Sequence, residues 1–335
     1  MFQIFKGAPE PERLPLDTVR PFDTQELAFW YYNSPYHAPC INTKSICILG
    51  DGPADPGVNE ELKRIVRKDS VFTLLLKTIK DLRIFGNAFW ERVQVTQSDL
   101  EVYHMLPYTM SKDKNGNWVQ KIGKKEKVFS DEQIWHFQEP TLLPSVWGMP
   151  DYLPLINDNT LDLLAAMKLY NRNLFRNNAI PDGIMFIKGG DLSEATQSGL
   201  QRFFRQKFAG VENAAKFCIA PIPEGVEIQL ERLNMISDGK FLELRDAMVS
   251  EVVSCHGVPP RLAGIMVPGS LGGGGEASGE LETFLTTQVK PLQNIFGGQL
   301  DHFFSEVMGV ETDVSFIPFT VPRNSAQEAL DLLRG

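Results

Sequence analysis

The amino-acid sequence predicts an α+β fold, predominantly helical. Two strongly periodic helices, over Asp238–His256 and Glu280–Val307, flank a long glycine-rich segment. Between Ala88 and Phe137, stretches of β-formers separated by turn residues mark a small antiparallel region. The 335 residues, 43% hydrophobic and 22% charged, suffice for a large core in one or two domains.

The first 23 residues are rich in proline and charge and read as a flexible or extended arm. Asp23 can cap a short helix through Glu26–Tyr32. Its aromatic residues suit either docking on the core or contact with a neighbouring subunit. Tyr36–Gly50 is ambiguous, because Ile46 and Ile48 alternate as in a strand. Asp51–Gly57 is a turn, and Asn59–Lys68 a charged amphipathic helix. Ser70 can cap the next helix, with Phe72, Leu75, Leu76, Ile79 and Leu82 on one face and Gly86 at its end. Ala88–Thr96, Glu101–Leu106 and Trp118–Ile122 read as strands, Lys114–Asn117 as a hairpin turn, and Lys127–Phe137 completes the antiparallel region. Lysines 112, 114, 121, 124, 125 and 127 gather on that hairpin. They suit a solvated face, or a weak patch for nucleic acid or a partner.

A helix is expected from Pro150-Asp151 to about Asn178, with Leu153, Ile156, Leu161, Leu164, Met167 and Leu174 turned inward. Arg172 and Arg176 lie one turn apart on its last part. They either complement the helix dipole or pair with an acidic group of an adjacent subunit. Gly183–Ile187 is a short strand, and Leu192–Phe208 a helix carrying Arg202 and Arg205. Ala215–Ala220 and Val226–Leu233 read as strands joined by Pro221–Gly225.

In the helix over Asp238–His256, Phe241, Leu244, Met248, Val252 and Cys255 share a face, and Gly257-Val258-Pro259-Pro260 stops it. The segment Pro259–Gly279 holds seven glycines, and such long loops are usually functional or disordered. The returning helix over Glu280–Val307 would be about 40 Å long, with a kink at Pro291. Thr312–Ile317 alternates as a strand and Ser325–Leu333 makes a closing helix.

Several chemistries lack their residues. Cys40, Cys47, Cys218 and Cys255 form no CxxC pair and read as buried thiols. His37, His104, His136, His256 and His302 are scattered, without HExxH. There is no GxxxxGK[ST] and no GxSxG, and Glu276 after Gly272–Gly275 would repel a phosphate. Asp151, Asp158, Asp301 and Glu306 read as solvated helix faces or ends. No catalytic residue, metal site or cofactor is expected. No stretch is apolar for eighteen residues, so no transmembrane helix is expected, and the N-terminus lacks a signal-peptide core.

"FLELRDAMVSEVVSCHGVPPRLAGI", the glycine-rich loop and "LETFLTTQVKPLQNIFGGQLDHFF" together resemble tailed-bacteriophage portal proteins. "IFGNAFWERV", "WGMPDYLPLINDNTLDLLAA" and "NLFRNNAIPDGIMFI" resemble further signatures of that family, in the same order. The resemblance covers roughly residues 24–320. It implies a wing over 24–190, stem helices over 191–208 and 237–258, and a clip over 209–236. A channel loop would span 259–279, and a long helix with the rest of the wing and a minimal crown 280–335. Tyr36–Gly50 would then be helical. The loop would bring Val267, Pro268, Ser270, Leu271, Gly272, Gly273, Gly274, Gly275 and Glu276 near a DNA duplex. Its glycines would let identical loops adjust to a helix that does not match their symmetry. The clip, with Phe217, Cys218, Ile219, Pro221, Pro223 and Glu224, would dock the terminase large subunit. Arg172, Arg176, Arg202 and Arg205 would be candidates for contacts between subunits.

The resemblance implies a homo-oligomeric ring, most often of twelve subunits, at one vertex of a virion capsid and assembled in the host cytoplasm. Double-stranded DNA would pass non-specifically during packaging and ejection. Head-completion or neck proteins, the major capsid protein and scaffold protein would be further partners, with no membrane and no enzymatic role. The net charge of −9 argues against a tight, sequence-specific DNA binder, but it suits a wall along which DNA slides. Two other classes remain open from the residues: a soluble enzyme whose lid is the glycine-rich loop, and a virion structural or adaptor protein that is not a portal.

Overall fold

The computed structural model describes residues 20–96, 99–142, 145–177, 183–188, 198–199, 202, 227–232, 238–265 and 274–319. The chain divides into two compact units: Met1–Asn157 with Glu251–Gly335, and Asp158–Ser250.

The larger unit begins with helix α1 (Thr24–Asn33), capped by the Asp23 carboxylate, which accepts the Gln25 N–H at 2.8 Å. Leu27 and Trp30 are buried, while Phe29 and Tyr32 are 53% and 80% exposed. The ambiguous stretch is helix α2 (His37–Leu49). Its alternation was local: Cys40, Ile41, Lys44, Ser45, Cys47, Ile48 and Leu49 are buried, a helical stripe that Ile46 stands outside. Helix α3 (Pro56–Ile65) starts three residues before the expected Asn59. Asp55 caps it and Pro56 takes a first-turn position that needs no N–H. Helix α4 (Val71–Phe85) is capped by Ser70 and ends at Gly86, as expected. Its buried face runs through Leu74, Leu75, Thr78, Ile79 and Leu82, and Phe72 stays outside.

The antiparallel region is two sheets rather than one. Strand β1 (Asn87–Gln94) lies between β2 (Leu100–Met105) and β6 (Ile134–Gln138), both antiparallel to it. Strands β3 (Met110–Lys112), β4 (Trp118–Ile122) and β5 (Lys125–Phe129) form the second sheet. The expected stretch Lys127–Phe137 holds the end of β5 and most of β6, separated by a 3₁₀ turn at Asp131–Gln133, where Ser130 and Gln133 make a capping box. Neighbouring β1 residues face opposite ways. Phe89 packs with Met105, Met110, Trp118, Phe129, Ile134 and Trp147, whereas Trp90 joins the core under the helices.

Helix α5 (Leu153–Asn157) is short. One helix was expected from Pro150-Asp151 to Asn178, but Asn159 adopts a left-handed φ of 59° and the next helix, α6 (Thr160–Asn177), starts after it. The smaller unit holds α6, strands β7 (Gly183–Lys188) and β8 (Glu227–Arg232), and the first part of helix α7 (Asp238–His256). β8 pairs antiparallel with β7, from Gly183↔Arg232 to Lys188↔Glu227. A strand within the expected clip therefore pairs with one assigned to the wing. The rest of Leu192–Phe208 beyond 198–199 and 202, and all of Ala215–Ala220, lie outside the described residues.

The chain returns to the larger unit within α7, whose Val252, Val253 and His256 are buried. Helix α8 (Gly274–Phe284) leads through a π turn (Leu285–Val289) into helix α9 (Lys290–Phe303) and a second π turn (Phe304–Met308). The first π turn immediately precedes Pro291. Proline cannot donate the helical hydrogen bond and its ring crowds the carbonyl four residues back, so a widened turn there keeps the helix running. Thr312–Ile317 makes a single bridge, Pro53↔Phe316, rather than a strand. Pro53 has no N–H for a ladder, and the Asp301 carboxylate takes the Val314 N–H at 2.8 Å. Ser325–Leu333 lies outside the described residues.

Candidate functional site

The glycine-rich segment leaves α7 through a fixed root. Gly257 has φ of 62°, and a Cβ there would meet the Gln288 side chain at 2.8 Å. The Leu262 N–H donates to the Pro259 carbonyl at 2.9 Å, and the Ile265 N–H to the Pro260 carbonyl at 2.9 Å. The Thr43 hydroxyl donates to the Leu262 carbonyl at 3.1 Å, tying this turn to α2. On the far side, Phe284 and Val289 are buried. Root and return helix are thus packed into one core, and a segment of few residues joins them.

Beneath the root is a buried polar cluster. His37, at the start of α2, and His256, at the end of α7, share a hydrogen bond of 2.9 Å between Nδ1 and Nε2. The Tyr152 ring stands 4.4 Å from His37, and its hydroxyl donates to the Ile84 carbonyl at 2.5 Å. Burial, and then the neighbouring His256, push the His37 imidazole down to about 3. Burial and then Lys44 push His256 to about 4. Both are therefore neutral, and one donates to the other. The Tyr152 hydroxyl is driven well above its usual range by burial.

Asp151, expected to be a solvated helix end, is exposed and also pairs with a buried member of this region. Its carboxylate is 2.8 Å from the Lys44 ammonium and 3.8 Å from Arg83. Burial alone would raise it, but Lys44 and Arg83 win and hold it below the usual carboxylate range. Arg83 also pairs with Glu139. Asp301 is half-buried, and Thr312 and Val314 both bond to it.

The expected site residues divide sharply. Val267, Pro268, Ser270, Leu271, Gly272 and Gly273 lie outside the described residues. Gly274, Gly275 and Glu276 lie in the first turn of α8, which starts six residues before the expected Glu280. Phe217, Cys218, Ile219, Pro221, Pro223, Glu224 and Arg205 lie outside the described residues. Arg172 and Arg202 are exposed, and Arg176 is in α6. Lys44, Arg83, Glu139 and Tyr152 were not singled out from sequence, and His37 was not paired with His256, because an isolated polar residue gives no sign of which distant residue will meet it.

Other polar sites are structural in their geometry. His136, in β6 as expected, stacks on Phe89 at 4.5 Å and bonds Asn87 at 2.9 Å. Burial, then Arg20 and Lys112, hold it down at about 3. Asp81, 2.5 Å from His104, is raised to about 6 by burial against the pull of that histidine. Cys40 and Cys47 are buried thiols, Cys255 is half-buried, and all three are free. Among the described residues, no group of three His, Cys, Asp or Glu could hold a metal ion. Among them, no helix is long and apolar enough to cross a membrane. An open cavity of about 410 Å³ lies between Asp51–Pro53 and the start of α4.

A family model described as phage portal protein matches residues 58–324. The chain belongs to the phage portal protein family. Among curated proteins, it is 21% identical over 225 residues to the "Probable portal protein" of Escherichia phage P2, covering 64% of this chain. The chain spans 63% of the length of that relative. Among solved structures, it resembles a chain from the neck of a native gene transfer agent particle computed with C12 symmetry. That match has a TM-score of 0.64 at 20% identity and covers 94% of this chain and 89% of the other. A phage portal protein of the HK97 family from Corynebacterium diphtheriae matches with a TM-score of 0.60 at 14% identity, over 91% and 96%. At such identities the likeness establishes the portal fold: predominantly helical, with small antiparallel sheets.

Proposed function

We propose that this portal-family chain is the subunit of a homo-oligomeric ring, most often of twelve copies, at one capsid vertex, through which double-stranded DNA is packaged and ejected. The observation that carries this reading is the family match over residues 58–324, which takes in both helices around the glycine-rich segment. The C12 symmetry of the neck to which the fold is similar supports a ring. A ring of identical subunits closes through head-to-tail contacts between two different faces.

In this reading α7 is a stem helix, 259–279 is the channel loop, and 209–236 is the clip that docks the terminase large subunit. Head-completion or neck proteins take the terminase's place later, and the major capsid and scaffold proteins surround the ring. The ring assembles in the host cytoplasm and remains in the virion. The packed turn at Gly257–Ile265 and the buried Phe284 of the return helix would anchor the loop on both sides, leaving the residues between them to adapt to the duplex. We assign no catalytic step to the chain.

Electron microscopy of the purified chain tests this. Rings with a central hole about as wide as a DNA duplex, roughly 20 Å or more, are expected. A uniform monomer or dimer at high protein concentration would overturn the reading.

A further inference from the structure

The larger unit carries opposite charges on its two sides. The stretch from Lys112 to Lys127 has six lysines against Asp113 and Glu126. Three of the lysines are held by acids: Lys112 by Asp131, Lys121 by Glu126 and Lys127 by Glu91. Lys114, Lys124 and Lys125 have no acidic partner among the described residues. The hairpin of β4 and β5 stands out into solvent, with every residue from Lys121 to Val128 exposed. Ile122 and Val128, each 55% exposed, give it an apolar component as well.

The stretch from Pro291 to Phe319 has the reverse character. It contains Asp301, Glu306, Glu311 and Asp313 and neither lysine nor arginine. Asp301 is used internally, but Glu306, Glu311 and Asp313 are exposed, and none is in an ion pair among the described residues.

These two regions lie on opposite faces of the sheet β2-β1-β6. Phe89 packs on Trp118, the first residue of β4, with ring centroids 5.1 Å apart. The next residue, Trp90, packs on Phe303, at the end of α9, at 5.2 Å. Successive residues of a strand point to opposite faces, so the basic hairpin and the acidic stretch that follows α9 lie on opposite sides of the sheet. A head-to-tail ring needs two different, complementary surfaces that face apart.

We infer that the basic β4–β5 hairpin, through Lys124 and Lys125, docks on the acidic Glu306–Asp313 region of a second copy of this chain. This rests on the ring reading and assigns faces to it. The contact is polar at its rim, steers encounter of subunits, and weakens with salt.

A charge swap tests it. Lys124→Glu with Lys125→Glu, and separately Glu311→Lys with Asp313→Lys, are expected to raise the concentration needed for ring assembly by about tenfold or more, measured by sedimentation at low salt. All four altered sites are exposed, and circular dichroism checks that each variant stays folded. The chain carrying all four substitutions is expected to assemble within about threefold of the native chain, because the attraction is restored with its sign reversed. Native-like assembly of either double variant overturns the inference, as does a fourfold variant no better than the doubles. Double variants that assemble normally but retain less DNA would also overturn it, because the hairpin would then serve nucleic acid. Native chain that never forms rings would overturn the proposed function and this contact together, and it is recognised before any variant is made.

Discussion

Arg83 is 5% exposed, and its guanidinium meets Glu139, itself 11% exposed. Taking charges out of water is costly, and the pair compensates only while both members are present. Glu139→Ala should therefore destabilise the chain by about 3 kcal/mol, since the exposed Asp151, 3.8 Å away, compensates Arg83 only in part. The urea midpoint would read it, and an unchanged midpoint would mean that Arg83 reaches water. Gly86 makes a similar point about backbone. Its φ is 67°, and a Cβ would meet the Gly148 carbonyl at 2.6 Å, so Gly86→Ala should cost about 1–3 kcal/mol.

The buried imidazoles make stability depend on pH. His37 and His136 are held at about 3 and His256 at about 4, below the ordinary 6.5. Between those values the unfolded chain binds protons that the folded chain refuses. Their contribution is full above about pH 6.5 and is lost as pH falls towards 4. Asp81, raised to about 6, acts in the opposite direction between about 6 and 3.8, because its folded form takes up a proton first. Three imidazoles outweigh one carboxyl, so the urea midpoint should be lower at pH 5 than at pH 7. His256→Gln should flatten that slope, and a native slope of the opposite sign would refute the assignment of neutral buried histidines.

At the scale of elements, the caps Asp23, Asp55 and Ser70 follow from local chemistry: a short oxygen-bearing side chain meets the amides of the first turn. Ser70→Ala should cost about 1 kcal/mol, visible as a lower melting temperature, and no change would mean that water caps α4 equally well. The glycine-rich segment makes a second prediction at this scale. Deleting Gly272–Gly275 should leave rings that assemble, since the root at Gly257–Ile265 and the return from Phe284 are packed without it. Particles built from such rings should fail in packaging or DNA retention. Full DNA content in those particles would remove the loop from the channel. The deletion also shortens the first turn of α8, because Gly274 and Gly275 are helical. That overlap was not legible in the sequence, where four successive glycines argue against a helix.

For the whole molecule, the sequence carried the fold class, the order of most elements and the family through segments whose patterns are local. Amphipathic periods, caps and turn residues act over a few positions, so α1, α4, the β4 strand and the helix pair around the loop could be read directly. The local pattern misled where a distant partner decided. α2 is helical because its buried stripe meets the core, although Ile46 and Ile48 alternate. The segment before Ile317 stays irregular because its neighbour is Pro53 and Asp301 takes its amide. Tertiary structure alone decided that His37 meets His256 across 219 positions, and that the exposed Asp151 meets Lys44. It also decided that the basic hairpin and the acidic stretch that follows α9 lie on opposite sides of the sheet. The physical reason is one of range. Propensity and periodicity are set by neighbours in the chain, whereas a buried charge or a shared proton is set by whatever the packed core brings alongside it.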